Sequence, residues 1–136
     1  MNMEAVLTRM VKEHPENIIA FEYLMAFYLI NKDLGNYVNY IPVMERMAYR
    51  EIPVAYQEAV LFAISLNNQD PFTNSPPYIS RDTKLRMSAY AEIYSKYPDA
   101  VTRLRERFSD TYWFYFHFVE VEYNAVEERK NNTGST

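Results

Sequence analysis

Apolar residues recur along this chain at the three- and four-residue spacing of helices, and prolines or polar clusters interrupt them at intervals. From Glu4 to Glu13, Val6, Leu7, Met10 and Val11 share one face, and His14-Pro15 closes the segment because a residue before proline disfavours helical backbone. A second helix is expected over about Pro15 to Asn31, with the proline in its first turn. It is apolar nearly all round (Ile18, Ile19, Phe21, Leu24, Met25, Phe27, Tyr28, Leu29, Ile30), the pattern of a helix buried between neighbours. Asn31, Lys32, Asp33 and Gly35 supply the turn after it. A third helix, about Leu34 to Tyr49, turns Tyr37, Val38, Ile41, Met44, Met47 and Ala48 inward. Pro42 should kink or split it, since proline removes a backbone bond to Val38.

A fourth helix, about Pro53 to Leu66, carries Tyr56, Ala59, Val60, Ala63 and Ile64 on one side. Residues 67–79 form the longest loop, stiffened by Pro71, Pro76 and Pro77, and it reads either as a spacer between two hairpins or as a functional loop, as loops of this length in compact domains often are. Ser80, Asp82 and Thr83 offer caps for a fifth helix to Tyr97, with Leu85, Ala89, Ile93 and either Tyr90 or Tyr94 as its inner stripe. A short helix, Asp99 to Phe108, packs through Val101, Leu104 and Phe108. Ser109-Asp110-Thr111 then caps a last helix from about Thr111 to Glu128. The pattern predicts one all-α domain of about seven helices over residues 1–129, followed by a disordered polar tail, 130–136.

Composition narrows the function classes. At 136 residues the chain can bury a core without staples. It has no cysteine, which excludes disulfides, a thiolate nucleophile and Cys-ligated metal. With glycine only at positions 35 and 134, there is no glycine-rich phosphate cradle. The net charge of -4 argues against a dedicated nucleic-acid binder, which needs a basic surface. No apolar run approaches the ~20 residues of a membrane span, and the first residues lack the basic and apolar regions of a signal peptide.

Phe21, Leu24, Tyr28, Asp33 and Ile41 follow one another as in the first unit of a tetratricopeptide repeat. Tyr56 lies 35 residues after Phe21, close to that repeat's period. The chain therefore resembles a tetratricopeptide-like array of antiparallel helical hairpins over roughly residues 15–97. Met25 and Tyr37 depart from the pattern, standing where the repeat carries small residues, and in the second unit only Pro53, Tyr56 and Ala59 match. The resemblance implies protein or peptide binding. The carboxylate clamp of some repeats is missing, because its positions hold Glu22, Ala26, Gln57 and Leu61. A second resemblance rests on His14-Pro15 through Leu29 and on Asp110 to Phe118. These stretches look like the soluble C-terminal part of an uncharacterised Bacteroidetes family whose full-length members look like multi-span membrane proteins. It implies membrane tethering through a region outside this chain.

Candidate chemistry is sparse. The uncharged block Tyr112-Trp113-Phe114-Tyr115-Phe116-His117-Phe118 reads either as an aromatic groove for a peptide or small ligand, with His117 near neutral pH as a proton carrier, or as a closing core helix. The two histidines, His14 and His117, do not have zinc-site spacing. Glu22 and Glu58 lie on mostly apolar helices, where a carboxylate needs a partner or a wet cleft. Residues 81–107 hold seven basic and four acidic groups, hence about +3, and Arg103 and Arg107 could meet an acidic partner or lipid headgroups, or form a solvated face.

The expectation is a non-catalytic protein-interaction or scaffolding module, with no metal or cofactor. Candidate partner contacts are Glu22, Gln57, Pro76, Pro77, Tyr78, Arg103, Arg107, Trp113 and His117. The alternative is a small-ligand or enzymatic site at Tyr112–Phe118, and a third reading makes exposed tyrosine and phenylalanine a self-association surface.

Overall fold

The computed structural model describes residues 2–47 and 49–121, and among these it is all-helical, with no strand. Two compact units appear among the described residues, one over 2–47 with 120–121 and the other over Tyr49–Val119.

The first unit contains α1 (Met3–Glu13), α2 (Ile18–Ile30), α3 (Leu34–Asn39) and α4 (Ile41–Arg46). Three of these starts are capped alike. The side-chain oxygens of Asn2, Asn17 and Asp33 accept the amides of Ala5, Ala20 and Asn36 at 3.0, 3.1 and 3.1 Å, satisfying donors a helix start leaves unpaired. Asn17 thereby takes the cap, and Pro15 stays outside α2 rather than in its first turn. Lys32, at φ 58°, turns the chain between α2 and α3.

Pro42 splits the third helix, as its missing amide requires. The break falls at Tyr40, whose amide turns back to the carbonyls of Tyr37 and Val38. The interior is Phe21, Leu24, Met25, Tyr28, Tyr37 and Met44, all essentially inaccessible. Full burial of such side chains is worth roughly 1.5–3 kcal/mol each. α1 packs on α2 and buries Leu7 and Val11, but Val6 and Met10, expected on the same inner face, are exposed. On α2, Ile19, Tyr23 and Ile30 are exposed as well, so the helix is buried on one side only. The Tyr28 hydroxyl ties the two helices by donating to Glu4 Oε1 at 3.3 Å, and burial, with the nearby Glu4 charge, raises its pKa.

The second unit contains α5 (Val54–Leu66), α6 (Pro71–Asn74), α7 (Arg81–Lys96), α8 (Ala100–Phe108) and α9 (Tyr112–Phe118). α7 packs on α5 and α8, and α9 returns to lie on both α5 and α8. Leu61, Leu104, Phe108 and Trp113 centre its core. α6 is one turn inside the long loop, started by Asp70, which accepts the Phe72 amide at 2.8 Å.

Two expectations are corrected here. α7 buries Thr83, Met87 and Tyr90, whereas Leu85 of the expected stripe is 48% exposed. Polar contacts set this rotation: the Thr83 hydroxyl meets Ser80 Oγ at 2.8 Å, and the Tyr90 hydroxyl reaches the Trp113 carbonyl at 3.1 Å. α9 stops at Phe118, because Val119 takes extended backbone (φ -97°, ψ 126°), a conformation suited to a β-branched residue. Residues 122–128 of the expected last helix, and the tail 130–136, lie outside the described residues.

Candidate functional site

The second unit holds an open cleft of about 580 Å³ between α5, α6, α7 and α9. Its volume falls in the few-hundred to ~1,000 Å³ range of small-ligand sites. Leu61, Phe62 and Leu66 of α5 form one wall; Met87, Tyr90, Ala91 and Tyr94 of α7 form the other. Pro71 and Phe72 of α6 close one end, and His117 of α9 closes another part of the lining.

The cleft exists because of where the chain must turn. Asn68, at φ 59°, ends the run of α5, and Asp70-Pro71 starts a single helical turn at once. That turn holds Phe72 beside α7, where the Lys84 ammonium sits 5.5 Å from its ring centre. On the other side, α9 brings His117 against α7. The imidazole stacks on Tyr94 at 4.2 Å and 12°, and its Nδ1 lies 2.7 Å from the Tyr90 hydroxyl. The Tyr90 hydroxyl has one hydrogen and also faces the Trp113 carbonyl at 3.1 Å, which can only accept. Both contacts hold together when Tyr90 donates to Trp113 and His117 Nδ1–H donates to Tyr90. Burial, reinforced by Tyr94, raises the Tyr90 pKa, so this hydroxyl keeps its proton.

Polar groups on the lining are partly committed. Ser65 Oγ donates back to the Phe62 carbonyl at 2.7 Å and Ser95 Oγ to the Glu92 carbonyl at 3.2 Å. Lys84 is half-buried in the first turn of α7 and has no carboxylate within 4.0 Å among the described residues. Asp70 is exposed and caps α6.

Glu58, the carboxylate expected on a mostly apolar helix, lies on α5 outside the cleft lining. Glu58 is 3% exposed, accepts the Tyr112 amide at 3.1 Å, and its carbonyl takes the Trp113 indole N–H at 2.9 Å. Burial pushes its carboxyl up to about 7; the Tyr112 amide and the Arg86 charge pull the other way, and Asp110 adds to the rise. These bonds dock the start of α9 on α5.

The sequence-derived candidates do not converge. His117 lines the cleft. Trp113 and Gln57 are interior: Trp113 is fully buried, and Gln57 is clipped between the Ile52 carbonyl (2.9 Å) and the Ser80 amide (2.8 Å). Glu22 is half-buried on α2, in the first unit. In the proline loop, Pro76, Pro77 and Tyr78 lie outside the cleft lining, and residues 70–72 are the part of the loop that enters it. Arg103 is exposed, paired with Asp99 at 3.0 Å and lying 4.0 Å over the Tyr97 ring, and Arg107 covers the Phe108 ring at 5.1 Å. Lys84, Phe72 and Met87 are lining residues that periodicity missed. Sequence alone gave no reason to bring a loop turn and a helix face together.

Among the described residues no group of three or more His, Asp or Glu side chains is placed to hold a metal ion, and no helix is long and apolar enough to cross a membrane. No significant match to this chain is found among curated proteins or among solved structures. A family model does match, described as a family of unknown function (DUF6057), and it covers residues 1–119. That match takes in every described helix and all of the cleft, and the chain belongs to this family.

Proposed function

We propose that the protein is a non-catalytic binding module whose second unit receives an apolar ligand in the cleft between α5, α6, α7 and α9. The single observation that carries this reading is the cleft itself: about 580 Å³, open, and walled mainly by Leu61, Phe62, Leu66, Met87, Ala91 and Tyr94. Such walls gain free energy by leaving water, at roughly 25 cal/mol per Å² of apolar surface covered. The titratable groups nearby are engaged structurally, His117 with Tyr90 and Glu58 with α9, which favours binding over chemistry.

Nile red, a neutral dye that fluoresces in apolar surroundings, tests it on the whole chain. Saturable, one-to-one enhancement is expected, and Ala91→Trp, which fills the cleft from an exposed backbone position, abolishes it. No enhancement, or enhancement indifferent to Ala91→Trp, would overturn the reading.

A protein-interaction role has its own observation, in the first unit. Ile19, Tyr23 and Ile30 are 63%, 65% and 54% exposed along one side of α2, at helical spacing. The tetratricopeptide-like resemblance points the same way, and the second resemblance adds tethering to a membrane through a region of a longer protein. Cross-linking from a benzophenone placed at Tyr23 in cells tests this role, and a partner captured equally by a probe at exposed Lys12 would not be specific to that face.

A further inference from the structure

We propose that the ligand of this cleft is an amphipathic monocarboxylate of the free fatty-acid class, its chain between α5 and α7 and its carboxylate at Lys84. This rests on the reading of the cleft as a ligand site. Lys84 is half-buried at the cleft lining, and no carboxylate lies within 4.0 Å of it among the described residues. Elsewhere in the same unit, basic side chains near acids form pairs: Lys96 with Glu92 at 2.8 Å, Arg103 with Asp99 at 3.0 Å and Arg86 with Asp110 at 3.3 Å. Lys84 instead holds its ammonium 5.5 Å over the Phe72 ring, a contact that positions the cation while leaving its hydrogen-bond capacity open to an arriving anion.

The remaining lining fits the rest of such a molecule. Leu61, Phe62, Leu66, Met87 and Ala91 offer no directional bonds and accept a flexible alkyl chain; methionine in particular repacks around irregular shapes. Ser65 and Ser95 have turned their hydroxyl hydrogens to their own helices, so neither donates to a ligand, which leaves Ser88 as the lining serine able to do so. Asp70 shares the lining with Lys84, but it is exposed and committed to the Phe72 amide, and its charge is screened by solvent. Even so screened, it repels a dianion more than a monoanion and so favours a monocarboxylate over a phosphate dianion.

The test is displacement of Nile red from the whole chain by decanoate and by decanol, both below the concentration at which they aggregate, with Lys84→Met as the variant. Lys84→Met keeps the aliphatic stem and removes only the ammonium. Decanoate is expected to displace the dye more strongly than decanol, and the variant to weaken decanoate roughly fivefold with no change for decanol, the size expected of a partly screened ion pair. Decanoate no better than decanol, or decanoate indifferent to Lys84→Met, overturns this assignment while leaving the cleft a ligand site. Failure of Nile red itself to bind removes both. Octyl phosphate serves as the control for anion class, and displacement by it stronger than by decanoate also overturns the proposal.

Discussion

At the scale of single residues, Glu58 carries the clearest physical consequence. An unfolded glutamate gives up its proton near 4.5, and in the fold burial holds that proton to about 7. Between those values the folded chain retains a proton that the unfolded chain has lost, so raising the pH through this window destabilises the fold. Below 4.5 both states are protonated and the carboxyl contributes no difference; above 7 both are ionised and the full cost of a buried charge applies. Allowing for partial screening, the loss is on the order of 2 kcal/mol. Urea unfolding of the wild type at pH 5 and pH 8 should show it, and Glu58→Gln, which keeps an acceptor for the Tyr112 amide, should flatten the dependence and be the more stable protein at pH 8. An unchanged pH profile in the variant would assign the effect to other groups. Glu58 was legible in the sequence as a carboxylate on an apolar helix in need of a partner. Its partner was not, because the Tyr112 amide lies 54 positions away and is a backbone group that no side-chain pattern marks.

At the scale of elements, the agreement between pattern and structure follows local chemistry. The helix start at Ser80 is written in a side chain that can accept its own helix amide, and the structure uses it, whereas α2 starts at an Asn17 cap and not at the expected Pro15. The split at Tyr40 is written in Pro42. Replacing that proline with alanine restores the donor to the Val38 carbonyl and should let α3 and α4 join. The expected outcome is a stronger helical circular-dichroism signal at 222 nm with no loss of stability. A weaker signal would mean that the break is imposed by packing around Tyr37 and Met44 rather than by proline. What periodicity mis-set was rotation and extent. Tyr90, one of the two tyrosines expected inside, is buried, but Thr83 turns inward with its capping hydroxyl while Leu85 is left exposed, and α9 ends once Val119 becomes extended. In the aromatic block every position is apolar enough for the interior. The pattern alone therefore could not distinguish the buried Trp113 from His117 at the cleft.

At the scale of the molecule, all-helical architecture was the legible part, carried by spacing that survives any arrangement of the helices. The cleft was not legible, because it depends on α6, a four-residue turn inside a loop, standing beside α7. Of the long loop, residues 70–72 rather than 76–78 line the cleft. Exposed apolar residues on α2 and the cleft of the second unit are the surfaces on which the two proposed binding roles rest. The most direct measurement is a two-dimensional amide NMR titration of the whole chain with decanol, an apolar ligand without a charge to bias the outcome. Saturable shifts concentrated at Leu61, Met87, Ala91, Tyr94 and His117 are expected. Absent shifts, or shifts gathered along Ile19, Tyr23 and Ile30 of α2, would contradict the cleft as the ligand site.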